Sequence, residues 1–309
     1  MISPVGVLKE HVFPALLRNA PEKSDDLIGL IKKHGVRFAF DSSADRILFT
    51  ADSSNSLITV GEKCLERLWA CSYAYFVFYD KMRTARQSDP TTHEIKTDDD
   101  HDLDNAAGLL SWATSVDWQV AAEGKHRCEP LPSWPTDLPR PIPTPMKGSN
   151  EDVADKLCLS ALGFILHHEL AHVRLDLFGS TGVDSVIDEK EADQEAARWL
   201  VDGLDEQDVR FSQRILGVAT ALCWLASLNA YVPFNGRTHP PGYDRLYQVL
   251  SSFVTNDRHD VWVFAATPLM FHLEASGIGF DPKLLHQNPR EAVNHYCNLI
   301  SKHFGGRGE

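Results

Sequence analysis

The sequence predicts an α+β fold that is mainly helical and carries a small antiparallel sheet near its N-terminus. Short apolar runs separated by Ser, Asp and Asn residues precede residue 61 and are typical of strands and turns. Long segments with helical periodicity follow, and the first of them begins at Glu62. The 309 residues, 43% hydrophobic and 24% charged, have the composition of a globular protein that buries its own core.

The three predicted strands cover Val36 to Phe40, Arg46 to Ala51 and Ser56 to Val60. No internal repeat and no sharp change of composition divides the chain. We therefore predict one domain over residues 1–309, in which residues 1–60 form a small β-rich part and residues 151–309 a helical catalytic part.

The first predicted helix, Glu62 to about Arg83, is apolar around most of its circumference, so we expect it to be buried on several sides. A polar segment from Gln87 to Asp104 predicts a solvated loop. Further helices are predicted at Asn105 to Glu123, Asp152 to Asp176, Asp188 to Asp202, Gln207 to Ala230, Gly242 to Val254, Asp260 to Ala275 and Pro289 to Lys302.

Prolines recur every two to four residues from Pro130 to Pro145, a pattern that excludes a helix. We expect residues 125–150 to form an extended strap on the surface. Its position just before the helix with the most informative motif leaves open whether it covers an active site.

The net charge of −13 disfavours nucleic acid and anionic membranes as partners and favours a protein substrate. The apolar stretch from Ile215 to Val232 is interrupted by Asn229, so we predict a core helix and no membrane span, with peripheral membrane contact left open. Six cysteines without a CxxC pair, and no signal sequence, predict reduced thiols and a cytoplasmic location.

The run from His167 to His172 contains an HExxH motif in a segment predicted to be helical. Residues four apart share a helix face, so His168 and His172 can present two imidazoles to one zinc ion. Both lie in an apolar stripe, whereas His167 lies off it and is expected to pack or to support a ligand from outside the coordination sphere. Glu169 then falls beside the open coordination position, where it can accept a proton from water as general base.

A third ligand distinguishes the classes of HExxH protein. The metzincin pattern would need Gly and His where the sequence has Leu175 and Phe178, so that class is excluded. The gluzincin pattern needs a Glu on a following helix, and Glu189, Glu191 and Glu195 are the acids available there. A helical projection places Glu189 and Asp193 on the apolar side and the other two on the opposite side. We predict Glu189 as ligand and Asp193 as the carboxylate that orients a ligand histidine.

A second polar cluster follows at Arg237 to Pro241, with Tyr243 and Arg245 close behind. A side chain across the cleft could stabilise the negative charge that develops on a tetrahedral intermediate. We predict His239 in this catalytic role, with Tyr243 and Arg245 as further substrate or transition-state contacts; a loop histidine without a catalytic role is the alternative for His239.

The motifs HHELAHV, EKEADQEAARWL and THPPGYDR, with the aromatic stretch LWACSYAYFVFYD, resemble the Lit-like phage-exclusion peptidases and, more distantly, the HtpX and Ste24 type of gluzincin. The resemblance spans most of the chain beyond Gly61 and implies a zincin-like metalloprotease body with one zinc ion. It implies the same ligand set, the same Glu169 and Asp193 roles, and a substrate contact for His239 and Arg245.

The Lit-like resemblance further implies a cytoplasmic protease that cleaves translation elongation factor Tu during phage infection, with a phage-derived peptide as activator. Two other classes remain open on the residues alone: a non-hydrolytic sensor that uses the zincin body to bind a peptide, and a structural zinc protein. Glu169 argues against the last, because a structural site closes its fourth position with Cys or His.

Overall fold

The computed structural model describes residues 3–43, 49–52, 54–89, 92, 100–115, 132–175, 183–229 and 241–305. The described residues before Gly35 form short helices joined by turns and contain no strand, so the predicted β-rich character of residues 1–60 is wrong for this part. The short elements are 3-10 turns at Pro4–Leu8 and Pro21–Lys23 and helices α1 (Lys9–Val12), α2 (Pro14–Arg18) and α3 (Ser24–His34).

Three of these elements begin with proline, whose fixed φ suits the first helical position. Helix α3 ends at Gly35, which adopts the left-handed conformation at φ 63°. The 3-10 turns, α1 and α2 have three to five residues each, too few to show an apolar period. Helix α3 has eleven residues and one apolar face, yet it is absent from the predicted elements.

The strands are β1 (Arg37–Asp41), β2 (Phe49–Asp52) and β3 (Leu57–Gly61), in the order β1-β3-β2. The small sheet is confirmed, and β2 pairs with β3 in the antiparallel sense that we predicted. The other pair, β1 with β3, is parallel, so the sheet is mixed. Because β2 lies on the far side of β3, β1 and β3 are not joined by a hairpin and can run in the same direction.

The mainly helical α+β fold is confirmed. The larger helices are α4 (Glu62–Ser88), α5 (His101–Thr114), α6 (Asn150–Leu175), α7 (Val183–Val201), α8 (Val209–Asn229), α9 (Gly242–Phe253), α10 (Asp260–Ala275), α11 (Leu284–Gln287) and α12 (Pro289–Gly305).

The predicted loop after α4 is shorter than expected, because α4 continues to Ser88 and α5 begins at His101. Asp100 accepts hydrogen bonds from the backbone N–H groups of Asp102 and Leu103 and so begins α5, while its other oxygen pairs with Lys81 at 2.7 Å. The predicted C-terminal part of α5, as far as Glu123, lies outside the described residues.

The core is built around α4 and α6, which pack against each other. Buried side chains surround α4 on all sides, as its apolar circumference predicted. Helix α6 also packs against α2, α7 and α8, and Ile215, Val218 and Leu222 of α8 are fully buried. Five cysteines in the described parts of the chain are unpaired and buried, while Cys128 lies outside them.

Within the described ranges, none of the helices combines the length and the hydropathy that crossing a bilayer requires.

Residues 132–149 of the predicted strap contain turns and bends but no helix, in agreement with the proline pattern. Trp134 anchors the strap: its ring lies 4.8 Å from that of Trp112 on α5 and 5.6 Å from that of Trp69 on α4. Trp69 in turn donates a hydrogen bond to Asp155 at 2.6 Å. Asp155 precedes His168 by 13 residues, or about 20 Å of helix, so this anchor lies well away from the HExxH motif.

Candidate metal centre

Helix α6 carries the HExxH motif in its C-terminal half. Two hydrogen bonds fix its start: the Oγ of Ser149 accepts from the N–H of Asp152, and the Asp152 carboxylate accepts from the N–H of Gly148. The apolar face of α6 packs into the core, and His168 and His172 lie on this face. Both histidines are buried, with 7% and 8% of their surface exposed.

The predicted ligands His168, His172 and Glu189 meet at one point. The two Nε2 atoms are 3.1 Å apart. Glu189 Oε2 lies 3.5 Å from Nε2 of His168, and Oε1 lies 3.3 Å from Nε2 of His172. Among the described residues this is the only group of three His, Cys, Asp or Glu side chains whose possible ligand atoms all lie within 4.8 Å of one another.

This donor set fits a catalytic zinc ion, for which two imidazoles and one carboxylate are an established combination. The charges fit as well. With neutral imidazoles, the three carboxylates of Glu169, Glu189 and Asp193 and the one guanidinium of Arg245 leave two negative charges at the site. A divalent cation would balance them.

The pKa values of the ligands in the metal-free chain follow from these neighbours. Burial disfavours a charged His168, but Asp193 and Glu189 outweigh it and raise its pKa to about 10. Burial likewise raises the pKa of Glu189, yet the two histidines and Arg245 hold it far below its usual range. The acids therefore remain ionised and available to a cation.

Asp193 lies where the sequence predicted an orienting carboxylate. Its Oδ1 is 3.0 Å from Nδ1 of His168, at an ion-pair distance and off the line of a hydrogen bond. Arg245 holds the other side of this carboxylate, with Nε 2.7 Å from Oδ2 and Nη2 2.7 Å from Oδ1. Arg245 and His168 keep the pKa of Asp193 low against the opposing effect of burial.

Arg245 lies among the acids of the site, and its predicted contact with substrate stays a prediction. It is buried, with 7% of its surface exposed, and its third nitrogen, Nη1, lies 3.2 Å from Glu189 Oε2. All three guanidinium nitrogens are thus engaged by Asp193 and Glu189. Arg245 fixes the two acids relative to each other, because the planar guanidinium sets the geometry of both contacts.

For Tyr243 a contact with substrate stays a prediction. Its side chain is buried, with 5% exposed, and hydrogen-bonds to Ser301 on α12. Burial raises the pKa of its hydroxyl. The third member of the predicted cluster, His239, lies outside the described residues, as do Arg237, Thr238 and Pro240.

Glu169 is half-buried, next to the first ligand in the sequence. Burial raises the pKa of its carboxyl, and the two ligand histidines and Arg245 act in the opposite direction. A carboxyl with a raised pKa is better suited to taking up a proton near neutral pH than a fully solvated one. Its role as general base stays a prediction.

His167 packs instead of joining the cluster, as expected. Its Nε2 donates a hydrogen bond to the carbonyl oxygen of Leu16 at 3.2 Å, and its ring stacks on Trp199 at 5.7 Å. Burial lowers its pKa to about 3, so the ring is neutral.

The other two glutamates of α7 point elsewhere. Glu195 pairs with Arg174 and with Arg198, and Glu191 is exposed. Of the three glutamates that the sequence offered as ligands, only Glu189 lies beside the histidines.

Helices built around a buried pair of histidines and a glutamate, with the partly buried Glu169 directly after the first histidine, define a candidate peptidase centre. Comparison with known proteins gives the same class: the Peptidase U49 family matches residues 58–265, and the chain belongs to this family. A protein of Escherichia coli (strain K12) named "Cell death peptidase" is 27% identical over 289 residues, 91% of this chain and 93% of that protein. The resemblance to the Lit-like peptidases is thereby confirmed. No solved structure matches.

Proposed function

We propose that this protease is a zinc-dependent endopeptidase of the gluzincin type that cleaves a specific intracellular protein. The observation that carries the proposal is the buried convergence of His168, His172 and Glu189, with Glu169 beside them. Side chains that cluster by chance on a surface are solvated, whereas these three are buried. A structural zinc site would need a fourth protein ligand.

In the proposed mechanism His168, His172 and Glu189 hold the ion. A bound zinc ion would lower the pKa of water and polarise the scissile carbonyl. Glu169 accepts the proton of the attacking water and delivers it to the leaving amine, and the raised pKa of its carboxyl suits both transfers. Asp193 and Arg245 hold the side chains of His168 and Glu189 in the positions from which they bind the ion.

We propose translation elongation factor Tu as the substrate, cleaved in the cytoplasm during phage infection, with a phage-derived peptide as activator. The proposal rests on the resemblance to the Lit-like peptidases and on the 27% identity to a protein named for cell death. The net charge of −13 supports a protein substrate over nucleic acid.

Glu169→Gln tests the chemistry. We expect the variant to retain zinc and to lose cleavage by a factor of about 10² to 10⁴, the usual contribution of a general base. Glu191→Gln makes the same chemical change at an exposed position of α7 and should leave both unchanged. Zinc content is measured in the purified full chain, and cleavage by detecting new protein termini in cells that express each variant. Equal sets of termini from wild type and Glu169→Gln would refute the hydrolytic mechanism and favour a sensor.

The substrate requires a separate test. Purified elongation factor Tu is incubated with the zinc-loaded full chain, with and without lysate of phage-infected cells, and its fragments are identified by mass spectrometry. One new cut site that is absent with Glu169→Gln is the expected result. If cells that express the wild type show new protein termini but none of them lies in elongation factor Tu, this substrate is refuted and the protease assignment stays in place.

A further inference from the structure

The residues Leu16–Lys23, which we call the N-terminal tie, contact both helices that carry the candidate ligands. On α6, the contact is made by Asn19. Its Nδ2 donates to the carbonyl oxygens of Ser160 at 3.1 Å and Leu159 at 3.4 Å, and its Oδ1 accepts from the Oγ of Ser160 at 3.2 Å. Gly163 makes room for it, because a Cβ at this position would overlap the Asn19 amide.

The tie also contacts the turn of α6 that holds the motif. The carbonyl oxygen of Leu16 accepts the hydrogen bond from His167, the residue directly before His168. The same imidazole stacks on Trp199, which belongs to α7. One side chain therefore touches the tie, the motif helix and the helix that supplies Glu189.

The third contact lies at the C-terminal end of α7. Lys23 Nζ donates to the carbonyl oxygens of Trp199 at 2.7 Å and of Asp202 at 3.3 Å. The carbonyl groups in the last turn of a helix have no partner within the helix, and a cation near them is favourable. Lys23 supplies both the hydrogen-bond donor and the positive charge.

A second cation strengthens this end of α7. Arg214 of α8 donates to the carbonyl oxygen of Leu200 at 2.7 Å and forms a two-point ion pair with Glu22 of the tie, at 2.6 and 2.8 Å. The tie is therefore held on α7 both directly and through α8.

We propose that the N-terminal tie is a positioning element for the metal centre, fixing α6 against α7 so that two histidines and a glutamate from different helices meet at one point. The metal part of this inference rests on the proposed function. Ser160 lies eight residues before His168, and Trp199 ten residues after Glu189, about 12 and 15 Å along their helices. Packed helices transmit displacement over such lengths, because they move as stiff bodies. The tie precedes residue 58, where the family match begins.

The test uses the full chain and two variants that break the tie at different ends. Asn19→Ala removes the side-chain contact with Leu159 and Ser160 on α6. Lys23→Met removes one of the two cations at the end of α7 but keeps the aliphatic stem. Lys33→Met, at an exposed position of α3, controls for the loss of charge. Leu285→Ala, a buried position on α11 away from α6 and α7, controls for general loss of stability.

Two quantities are measured: amide hydrogen exchange of residues 186–193 in the metal-free protein, and zinc affinity by competition with a chelator. We expect both tie variants to speed exchange there and to weaken zinc binding about tenfold, as loss of residues that support ligands generally does. Neither control should do so.

Exchange and zinc affinity in the tie variants no different from those of Leu285→Ala would overturn the inference. If the wild-type chain binds no zinc, the proposed function fails, and the exchange measurement still decides whether the tie positions α7. A double-mutant cycle adds a check that needs no metal: Gly163→Ala should destabilise the Asn19→Ala protein less than the wild type, because the overlapping amide is gone. Equal effects in both backgrounds would also count against the tie.

Discussion

The two ends of α6 are surrounded by different kinds of side chain. Near its start, Asp155 receives a hydrogen bond from Trp69, whose ring packs against Trp134 of the strap. Near its end, the neighbours of His168 are the charged groups of Glu189, Asp193 and Arg245. Each aromatic side chain stabilises the fold through the apolar area that it buries, and one can be removed without leaving another as an unpaired charge. The charged ones depend on each other, because removing one leaves another buried without its partner.

Removing Arg245 should have the largest effect. Arg245→Met keeps most of the volume and leaves Asp193 and Glu189 buried without their guanidinium, so we expect the free energy of unfolding of the metal-free chain to fall by about 3–5 kcal/mol. Urea unfolding measures this. Added zinc should recover part of the loss, since a cation at the ligands would offset the two carboxylates. Arg258→Met, at an exposed arginine, is the control. Equal losses in both variants would mean that the charges are not interdependent.

Removing Trp134 tests the aromatic end. Trp134→Ala should lower the free energy of unfolding by about 3 kcal/mol, because a buried ring is lost, and should leave zinc affinity unchanged. Trp134→Phe should restore much of the stability. Chelator competition and thermal unfolding of the same samples give both values. A fall in zinc affinity with Trp134→Ala would show that the two ends of α6 are coupled and would revive the idea that the strap controls the site.

A milder change at the charged end should separate affinity from stability. Asp193→Asn keeps the shape of the side chain but weakens its hold on His168 and Arg245, and we expect zinc affinity to fall about tenfold. Glu191→Gln, at an exposed position of the same helix, is the control for the lost charge. If zinc affinity is the same in both variants, Asp193 does not orient the ligand.

The smallest expected effect is the pH dependence of the stability that Glu22 of the N-terminal tie contributes. The hydrogen bonds from Arg214 to the Glu22 carboxylate outweigh burial and lower its pKa from 4.5 to about 2. The folded-state pKa is below the unfolded one, so this stabilisation is present above pH 4.5 and is lost as the pH falls towards 2. Glu22 is 39% exposed, so its contribution should stay below about 1 kcal/mol. The stability difference between wild type and Glu22→Gln should shrink over that range; a constant difference would contradict the shift.

The predictable parts of the fold are those with long apolar periods. Helices α9 and α10 begin at the predicted residues, Gly242 and Asp260. Pro241 precedes α9, and the side chain of His259 accepts a hydrogen bond from the N–H of Val261 at the start of α10. The elements before Arg37 were missed, and so was the parallel pairing of β1 with β3. Pairing direction depends on which strand occupies the centre of the sheet, and the alternation of side chains within a strand carries no such information.

For the site, spacing on one helix identified His168 and His172, and a helical projection chose Glu189 over Glu191 and Glu195. The contribution of the tie could have been suspected from one signal, Gly163 in the interior of a helix, where glycine is unfavourable unless something approaches closely. What approaches, Asn19, is more than 140 residues distant in the chain.

The sequence alone predicted the types of the candidate ligands, the face of α6 that carries His168 and His172, and the glutamate between them, because these follow from the 3.6-residue period of one helix and from the chemistry of imidazole and carboxylate. Tertiary structure decided the rest. It placed Arg245 among the acids and Tyr243 against α12, and it brought the N-terminal tie onto both ligand helices. These contacts join residues far apart in the chain, whose distances are set by how whole helices pack and not by any local pattern.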